Sequence, residues 1–589
     1  IMGDIPAPGA TVVTREEVKN LAGTFGDPLR ALESMPGVTP IVSGLPLFFV
    51  RGAPPGNVGY FIDGIRVPLL YHVFLGPSVI HPAMIKDVSL SAGPMPAEYG
   101  RYAGAAMEAK LAPVDGTRAE GSVRLIDIGA FGQTRFAKER GYVQLSGRYS
   151  YTALLISLFA PNTRLDYWDY QARVGYALSN KDELSVMALG AYDFAGPEGD
   201  VLAGTEFHRV DVRWDHNFSS KDHLRSAVTW GKDRTRSQVG TIGDMLWGMR
   251  LNFEHSAQHF KLRAGLDTWI DTYSLDIDPS ISEPENYLTL FPPRTDVTGG
   301  AYVDVVLQPT PELRVIPGVR VDQFTSLGDT RVSVDPRLSA EYQITDRLKA
   351  IHAIGVAHQS PNFVPNVPGA QVGGLDGGLQ SSLQAEAKYE YAFPFQITSS
   401  VAGYINGTAQ MTDPVGMSQS FAIDETSAQT RVLGRAYGLE FYIKRPLTKR
   451  LGGFISYTYS TSLRSLDRIR TRPGYDRPHV FNAAVSYEFD WNVRFSVKFA
   501  FASGVLERHT TADGFVFEGR RSRPYVRVDA KLEKRFRPSK HIDWGLSLEA
   551  LNATYTSNAA ARTCGEEGCE DQGTAPITFP LLGADILWQ

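Results

Sequence analysis

The sequence predicts a mostly β chain: a transmembrane antiparallel β-barrel of about 22 strands with an N-terminal α+β domain in its lumen. Three observations lead there. The first is hydropathy. Hydrophobic residues make up 43% of the chain, yet the mean hydropathy is -0.18 and no run of 18 apolar residues occurs. Helical spans are therefore excluded, whereas barrel strands of about 10 alternating residues leave hydropathy near neutral. The second is a period of two that dominates from about residue 119 onward. The third is that the connections between the alternating segments are short and long by turns.

Residues 1–115 read as the small α+β domain and residues 116–589 as the barrel. In the first region, Glu16-Glu-Val-Lys-Asn-Leu21 and Asp27-Pro-Leu-Arg-Ala-Leu-Glu-Ser34 predict two short helices. Asp27 suits the N-cap and Pro28 the first helical position, and Met35-Pro-Gly37 ends the helix. Leu47-Phe-Phe-Val-Arg51 and Val58-Gly-Tyr-Phe-Ile-Asp63 read as strands, with Asp63-Gly64 turning between Ile62 and Ile65.

In the second region, Arg209-Val-Asp-Val-Arg-Trp-Asp215 places Val210, Val212 and Trp214 on one face and the charges on the other. Tyr525-Val-Arg-Val-Asp-Ala-Lys-Leu-Glu533 does the same, which predicts Val526, Val528, Ala530 and Leu532 against lipid. Gly438-Leu-Glu-Phe-Tyr-Ile-Lys444 and Trp168 to Tyr176 repeat the scheme. Both charge signs share each polar face, as a wet lumen allows. Short connections such as Ser219-Ser-Lys-Asp222 and Phe489-Asp-Trp-Asn492 alternate with long ones around 277–294, 359–380, 409–430, 504–523 and 553–576. Outer-membrane barrels have short periplasmic turns and longer outer loops. An even number of strands puts both ends on the turn side, and a barrel that wide cannot fill itself with its own side chains.

The formal net charge of -5 and the lack of clustered Lys and Arg give no reason to expect nucleic acid. Cys564 and Cys569 flank a polar stretch with no further zinc ligands nearby, so a short-loop disulfide is favoured over free thiols. No signal peptide precedes Ile1, and the numbering is expected to begin inside the mature chain.

Several motifs occur in a set order in the first region. They are Asp27-Pro-Leu-Arg-Ala-Leu32, Pro36-Gly-Val38, Val50-Arg-Gly52, Tyr60-Phe-Ile-Asp-Gly-Ile-Arg-Val-Pro68, Ile85-Lys-Asp-Val88, Gly93 and Ala97-Glu-Tyr-Gly-Arg-Tyr-Ala-Gly104. This series resembles the plug of TonB-dependent outer-membrane transporters. Val315-Ile-Pro-Gly-Val-Arg-Val-Asp322, Asp335-Pro-Arg-Leu338, Asp476-Arg-Pro-His-Val-Phe-Asn482 and the ending Phe579-Pro-Leu-Leu-Gly-Ala-Asp-Ile-Leu-Trp588 resemble that family's barrel. The resemblance covers essentially the whole chain and implies the bacterial outer membrane. The family's short coupling segment is not recognised before Thr11, so energy coupling is implied by the resemblance alone.

The resemblance also implies that Arg51 engages barrel-wall carboxylates, with Gly52, Asp63 and Gly64 completing a plug–barrel docking set. A charge in a plugged lumen needs a partner. Asp211, Asp215, Asp529 and Glu533, on the polar strand faces, are the carboxylates to hand. His72 and His81 could face a ligand vestibule, but satisfied histidines are the plainer reading. His208, His216 and His223 sit on alternating or turn positions and suggest no metal site. The glycine-rich 373–378 opens no helix and reads as an outer-loop tip rather than a phosphate cradle. No catalytic constellation stands out, so neither an enzyme nor a cofactor is expected.

Two functions fit. One is import of a scarce ligand of the ferric chelate, cobalamin or glycan class, with a TonB-type energy-coupling protein as partner. The other is a permanently plugged scaffold in an outer-membrane complex, with lipoproteins as candidate partners, in adhesion, secretion or motility. Outer-membrane lipids surround the barrel in either case.

Overall fold

The computed structural model describes residues 8–589 apart from 42–46, 73–75, 153–161, 198–200, 363–366, 376, 414–415, 417–429, 467–468, 511–515, 566–567 and 575–577. Among the described residues, 22 strands close into one antiparallel ring, and the short Ile469–Thr471 pairs beside Leu451–Leu466. The last strand closes the ring on the first, with Gly583 opposite Arg124 and Trp588 opposite Ala119.

Alternation sets the two faces of the wall. In the strand Ala203–Asn217, Arg209, Asp211 and Arg213 are buried toward the lumen, while Val212 and Trp214 point out. In Tyr525–Phe536, Arg527, Asp529, Lys531 and Glu533 are buried, whereas Val526, Val528 and Ala530 are half-exposed and Leu532 is exposed. Phe395 and Trp491 stand out at the rim carrying the short turns, at 81% and 83% exposure. Aromatic rings at that level suit the membrane–water boundary. Trp491 and Asn492 reach the tight turn through φ of 63° and 58°. Several strands outrun the span a membrane needs; Phe260–Ile277 has 18 residues.

Inside the ring lies a five-stranded sheet built from Thr11–Thr14, Ile85–Ser91, Ala105–Leu111, Val58–Ile62 and Ile65–Arg66, in that spatial order. Val58–Ile62 runs parallel to Ala105–Leu111, and the other neighbours are antiparallel. A helix at Arg15–Lys19 starts from a capping box between Thr14 and Glu17. The second expected helix is a six-residue 3-10 turn, Leu29–Ser34, because Pro36 and Gly37 leave no room for a longer one. Asp27 still serves its start. One carboxylate oxygen accepts from the Leu29 N–H at 3.1 Å and the other from the Ser78 N–H at 2.6 Å.

The inner domain has its own core of Leu29, Leu32, Phe48, Val50, Ile62 and Leu70, which runs into the wall at Phe131, Leu189 and Phe207. On the loop side, Leu506–Thr510, Val516–Arg521, Asn558–Gly565 and Gly568–Thr574 form a separate four-stranded sheet. Ile41 and Phe49 of the inner domain pack there against Tyr475 and Val505. One side of the inner domain is thus capped by outer loops.

Candidate functional site

Two tight turns press the inner domain against the wall, and they share one design. Arg51 and Gly52 take φ of 47° and 81°; Asp63 and Gly64 take 50° and 76°. Consecutive left-handed residues let a two-residue turn follow the twist of its flanking strands, and glycine carries the second position without a Cβ penalty. Close approach makes a further demand. A side chain at Gly52 would collide with the Cβ of Ala436, and one at Gly64 would crowd the Arg250 guanidinium.

Each turn offers a charge and a carbonyl to the wall. Arg51 Nε and Nη2 donate to the two oxygens of Glu440, both at 2.8 Å, and Nη1 meets Glu386. The Arg51 carbonyl accepts from Asn406 at 3.1 Å and that of Gly52 from Arg464 at 2.8 Å. Burial opposes the Arg51 charge, but Glu386 and Glu440 outweigh it and hold its pKa above the usual arginine value. Asp63 accepts from Arg213 at 2.5 Å, its carbonyl from the same guanidinium at 2.7 Å, and the Gly64 carbonyl from Arg250. Burial disfavours the Asp63 carboxylate, yet Arg213 keeps its pKa below the usual range.

The surroundings of the inner domain's two histidines favour opposite charge states. His72 is fully buried between wall carboxylates, 3.1 Å from Asp193 through Nδ1 and 3.1 Å from Asp169 through Nε2. Burial lowers its proton affinity, but the two aspartates overcome this and raise the pKa to about 9. Arg148 donates to the same Asp169 at 2.9 Å, and the Tyr167 ring lies against the imidazole. His81 is buried against Phe131, where desolvation and then Arg148 push its pKa down to about 3. Its Nδ1 accepts from the Ala83 N–H at 3.2 Å, as a neutral ring must.

On another side the inner domain stands off from the wall and leaves a polar cavity of about 480 Å³. Arg66 enters it from the inner domain, stacks on Trp269 at 4.6 Å and pairs with Asp271. Tyr102 and Tyr273 add aromatic surface, and Glu98 and Glu108 add carboxyl groups. Burial, and then Glu98, raises the Glu108 pKa to about 7, although the Tyr99 hydroxyl donates to it at 2.5 Å. Arginine forks beside aromatic faces suit planar anionic groups.

The comparisons with known proteins decide the family. A family model described as TonB dependent receptor-like, beta-barrel, matches residues 98–553, and the TonB-dependent Receptor Plug Domain matches residues 6–107. The chain belongs to the TonB-dependent receptors. Their barrel is that of the bacterial outer membrane, and the inner domain is the plug. No curated protein sequence matches. Among solved structures, the FrpB iron transporter of Neisseria meningitidis superposes with a TM-score of 0.74 at 12% identity, covering 100% of both chains. The ferric enterobactin receptor of Pseudomonas aeruginosa gives 0.72 at 15%, over 99% of each chain. The ferric-catecholate import receptor Fiu of E. coli gives 0.72 at 14%, over 99% of this chain and 97% of that one. At such identities the likeness is one of fold.

Within the receptor, Arg51 meets Glu386 and Glu440 rather than Asp211, Asp215, Asp529 or Glu533. Asp211 instead serves Arg213 and Arg250. Glu440 lies on the polar face of the alternating 438–444 segment, so its inward direction was readable but its partner was not. His72 is the residue the sequence undersold, since its two aspartates come from neighbouring strands far along the chain. His208 contacts the Tyr170 hydroxyl, His216 pairs with Asp182 and His223 with Asp215, each on its own. Cys564 and Cys569 occupy facing positions of the hairpin, and their side chains lie outside the described residues.

Proposed function

We propose that this receptor imports a ferric chelate across the outer membrane, working with a TonB-type energy-coupling protein. The observation that carries the reading is the cavity beside the plug, where Arg66 lies on Trp269 with Tyr102 and Tyr273 in the same lining. Catecholate and related chelators present flat, anionic faces, for which stacked arginine and aromatic rings are complementary. Solved structures of like fold include receptors whose names specify ferric enterobactin and ferric catecholates, which supports the same chemical class here. Coupling to the inner membrane follows from the family. The lipids around the barrel are its solvent, and a lipoprotein partner is not needed for this role.

The test is uptake by iron-starved cells that lack their other iron receptors and express this one. Radio-iron carried on a catecholate chelate should enter saturably and stop when the proton gradient is collapsed. Uptake of cobalamin or an oligosaccharide instead, with no iron entry on catecholate or hydroxamate chelates, would overturn the ligand class.

A further inference from the structure

The strand Asp222–Ser237 changes character along its outward face. Alternate positions read Leu224, Ser226, Val228, Trp230, Lys232, Arg234 and Arg236, while Ala227, Thr229, Gly231 and Asp233 are buried toward the lumen. Three cations thus follow an apolar and aromatic stretch on the side that faces the membrane. About 9–11 tilted residues cross the hydrocarbon. Counted from Leu224, that length ends near 232–234. The short turn Ser219-Ser-Lys-Asp222 lies at the other end of the strand, so the cations stand at the outer boundary.

Neighbouring strands build the same tier. Arg164 and Asp166 pair at 2.7 Å on Thr163–Ala177, and Arg164 lies over the Phe194 ring of Asp182–Pro197 at 5.5 Å. Arg234 and Arg236 hold Glu206 of Ala203–Asn217 at 3.1 and 3.8 Å. Beneath them Trp168 stacks on Tyr192 with ring centres 5.5 Å apart, and the Tyr170 hydroxyl meets His208 at 3.1 Å. Below the rings, Val186, Val212, Val228 and Met249 stand side by side on adjacent strands, all exposed.

The charges of this tier do not balance. Arg164, Lys232, Arg234 and Arg236 meet two carboxylates, Asp166 and Glu206, and Asp276, two strands beyond Arg236, pairs with none of them. Lys232 is exposed, lies opposite His208 in the ladder and has no ion-pair partner among the described residues. A cation on a lipid-facing wall is costly at the midplane and tolerated at the boundary, where water or an anion meets it. The surplus is local. At the loop end of Leu313–Ser326 and Asp329–Gln343, the outward residues are Gln323, Thr325, Thr330 and Val332.

We propose that this patch seats the phosphate groups of an outer-leaflet lipid, with its acyl chains laid over Val186, Val212, Val228 and Met249. Guanidinium forks match phosphate oxygens, and a lysine head reaches the boundary on its apolar stem. A lipid fits better than a free anion because the apolar row continues beneath the charges. The seat lies on the outside of the wall, away from the cavity at Arg66, and stands independently of the chelate reading.

The experiment is native mass spectrometry of the purified full chain in detergent. The probes are a glucosamine-disaccharide lipid carrying two phosphates, the same lipid with its phosphates removed, and inorganic phosphate. The phosphorylated lipid should bind severalfold more tightly than its dephosphorylated form, and excess inorganic phosphate should not displace it. Lys232→Gln should weaken binding about fivefold, and Lys232→Gln with Arg234→Gln roughly 25-fold, the effect of one and of two charges near a lipid surface. Lys232→Arg should restore it, and Lys221→Gln, in the short turn at the opposite rim, should leave it unchanged. Heat-modified mobility on gels shows that each variant is a folded barrel. The proposal is overturned if the dephosphorylated lipid binds equally well, if inorganic phosphate competes it off, or if the folded double variant binds like the unaltered chain.

Discussion

Arg51 and Glu440 meet in two parallel hydrogen bonds of 2.8 Å although 389 residues separate them in the chain. Glu386 closes the other side of the guanidinium, and the Tyr404 ring lies under it at 4.8 Å. Lysine has no fork to copy this geometry. Removing one partner of such a buried set typically costs about 3–5 kcal/mol, mostly through the charge left behind. Arg51→Ala should therefore loosen the plug while the barrel keeps its resistance to detergent, and Arg51→Lys should recover only part of the loss. Limited proteolysis reads the plug and heat-modified mobility on gels reads the barrel. A plug as protected in Arg51→Ala as in the unaltered chain would remove the special standing of this site.

His72 makes plug docking depend on pH in the alkaline direction. Its folded pKa of about 9 lies above the ordinary histidine value of about 6.5. The stabilisation is thus complete below pH of about 6.5, declines above it, and is gone once pH passes the folded value. The gap corresponds to roughly 3 kcal/mol. Plug protection should fall between neutrality and pH 10 in the unaltered chain. In His72→Gln, which keeps hydrogen bonding but not the charge, it should be weaker at pH 6 and flat over this histidine window. Equal slopes in both chains would mean that His72 carries no charge in the folded receptor.

Leu439 tests the wall. It lies mid-strand in Val432–Arg445, is 49% exposed, and has Glu440 buried beside it on the opposite face. Leu439→Arg should destabilise the barrel by about 2–4 kcal/mol, as cations do at the midplane. Glu440→Gln should leave the wall intact and affect the plug alone. Urea unfolding in lipid vesicles separates the two, and a neutral Leu439→Arg would place that face away from hydrocarbon.

Cys564 and Cys569 are directly opposed in the hairpin formed by Asn558–Gly565 and Gly568–Thr574. Facing residues of an antiparallel pair stand about 4.5–5.5 Å apart at Cα, inside the range a disulfide needs. We expect them to be joined in receptor taken from native membranes. Alkylation without reductant should then label neither, and labelling of both would disprove the bond.

The family resemblance and much of the architecture were legible because strand periodicity is a local property. Arg209, Asp211 and Arg213 had to share a face, and Val210, Val212 and Trp214 the other, whatever their neighbours. The Asp63-Gly64 turn was legible for a similar reason, since left-handed backbone favours glycine locally, whereas Arg51, read as the end of a strand, stands instead in a left-handed turn beyond Val50. What only the tertiary structure decided is who meets whom. Ring closure and strand register, not spacing, bring Glu386 and Glu440 to Arg51 and turn Asp211 toward Arg250 instead. The same holds for His72, whose charge comes from Asp169 and Asp193 on two adjacent strands, and for the cavity where Arg66 meets Trp269 and Asp271. An inward side chain follows from a period of two, but its partner depends on how the plug fills a lumen that the strands enclose only together.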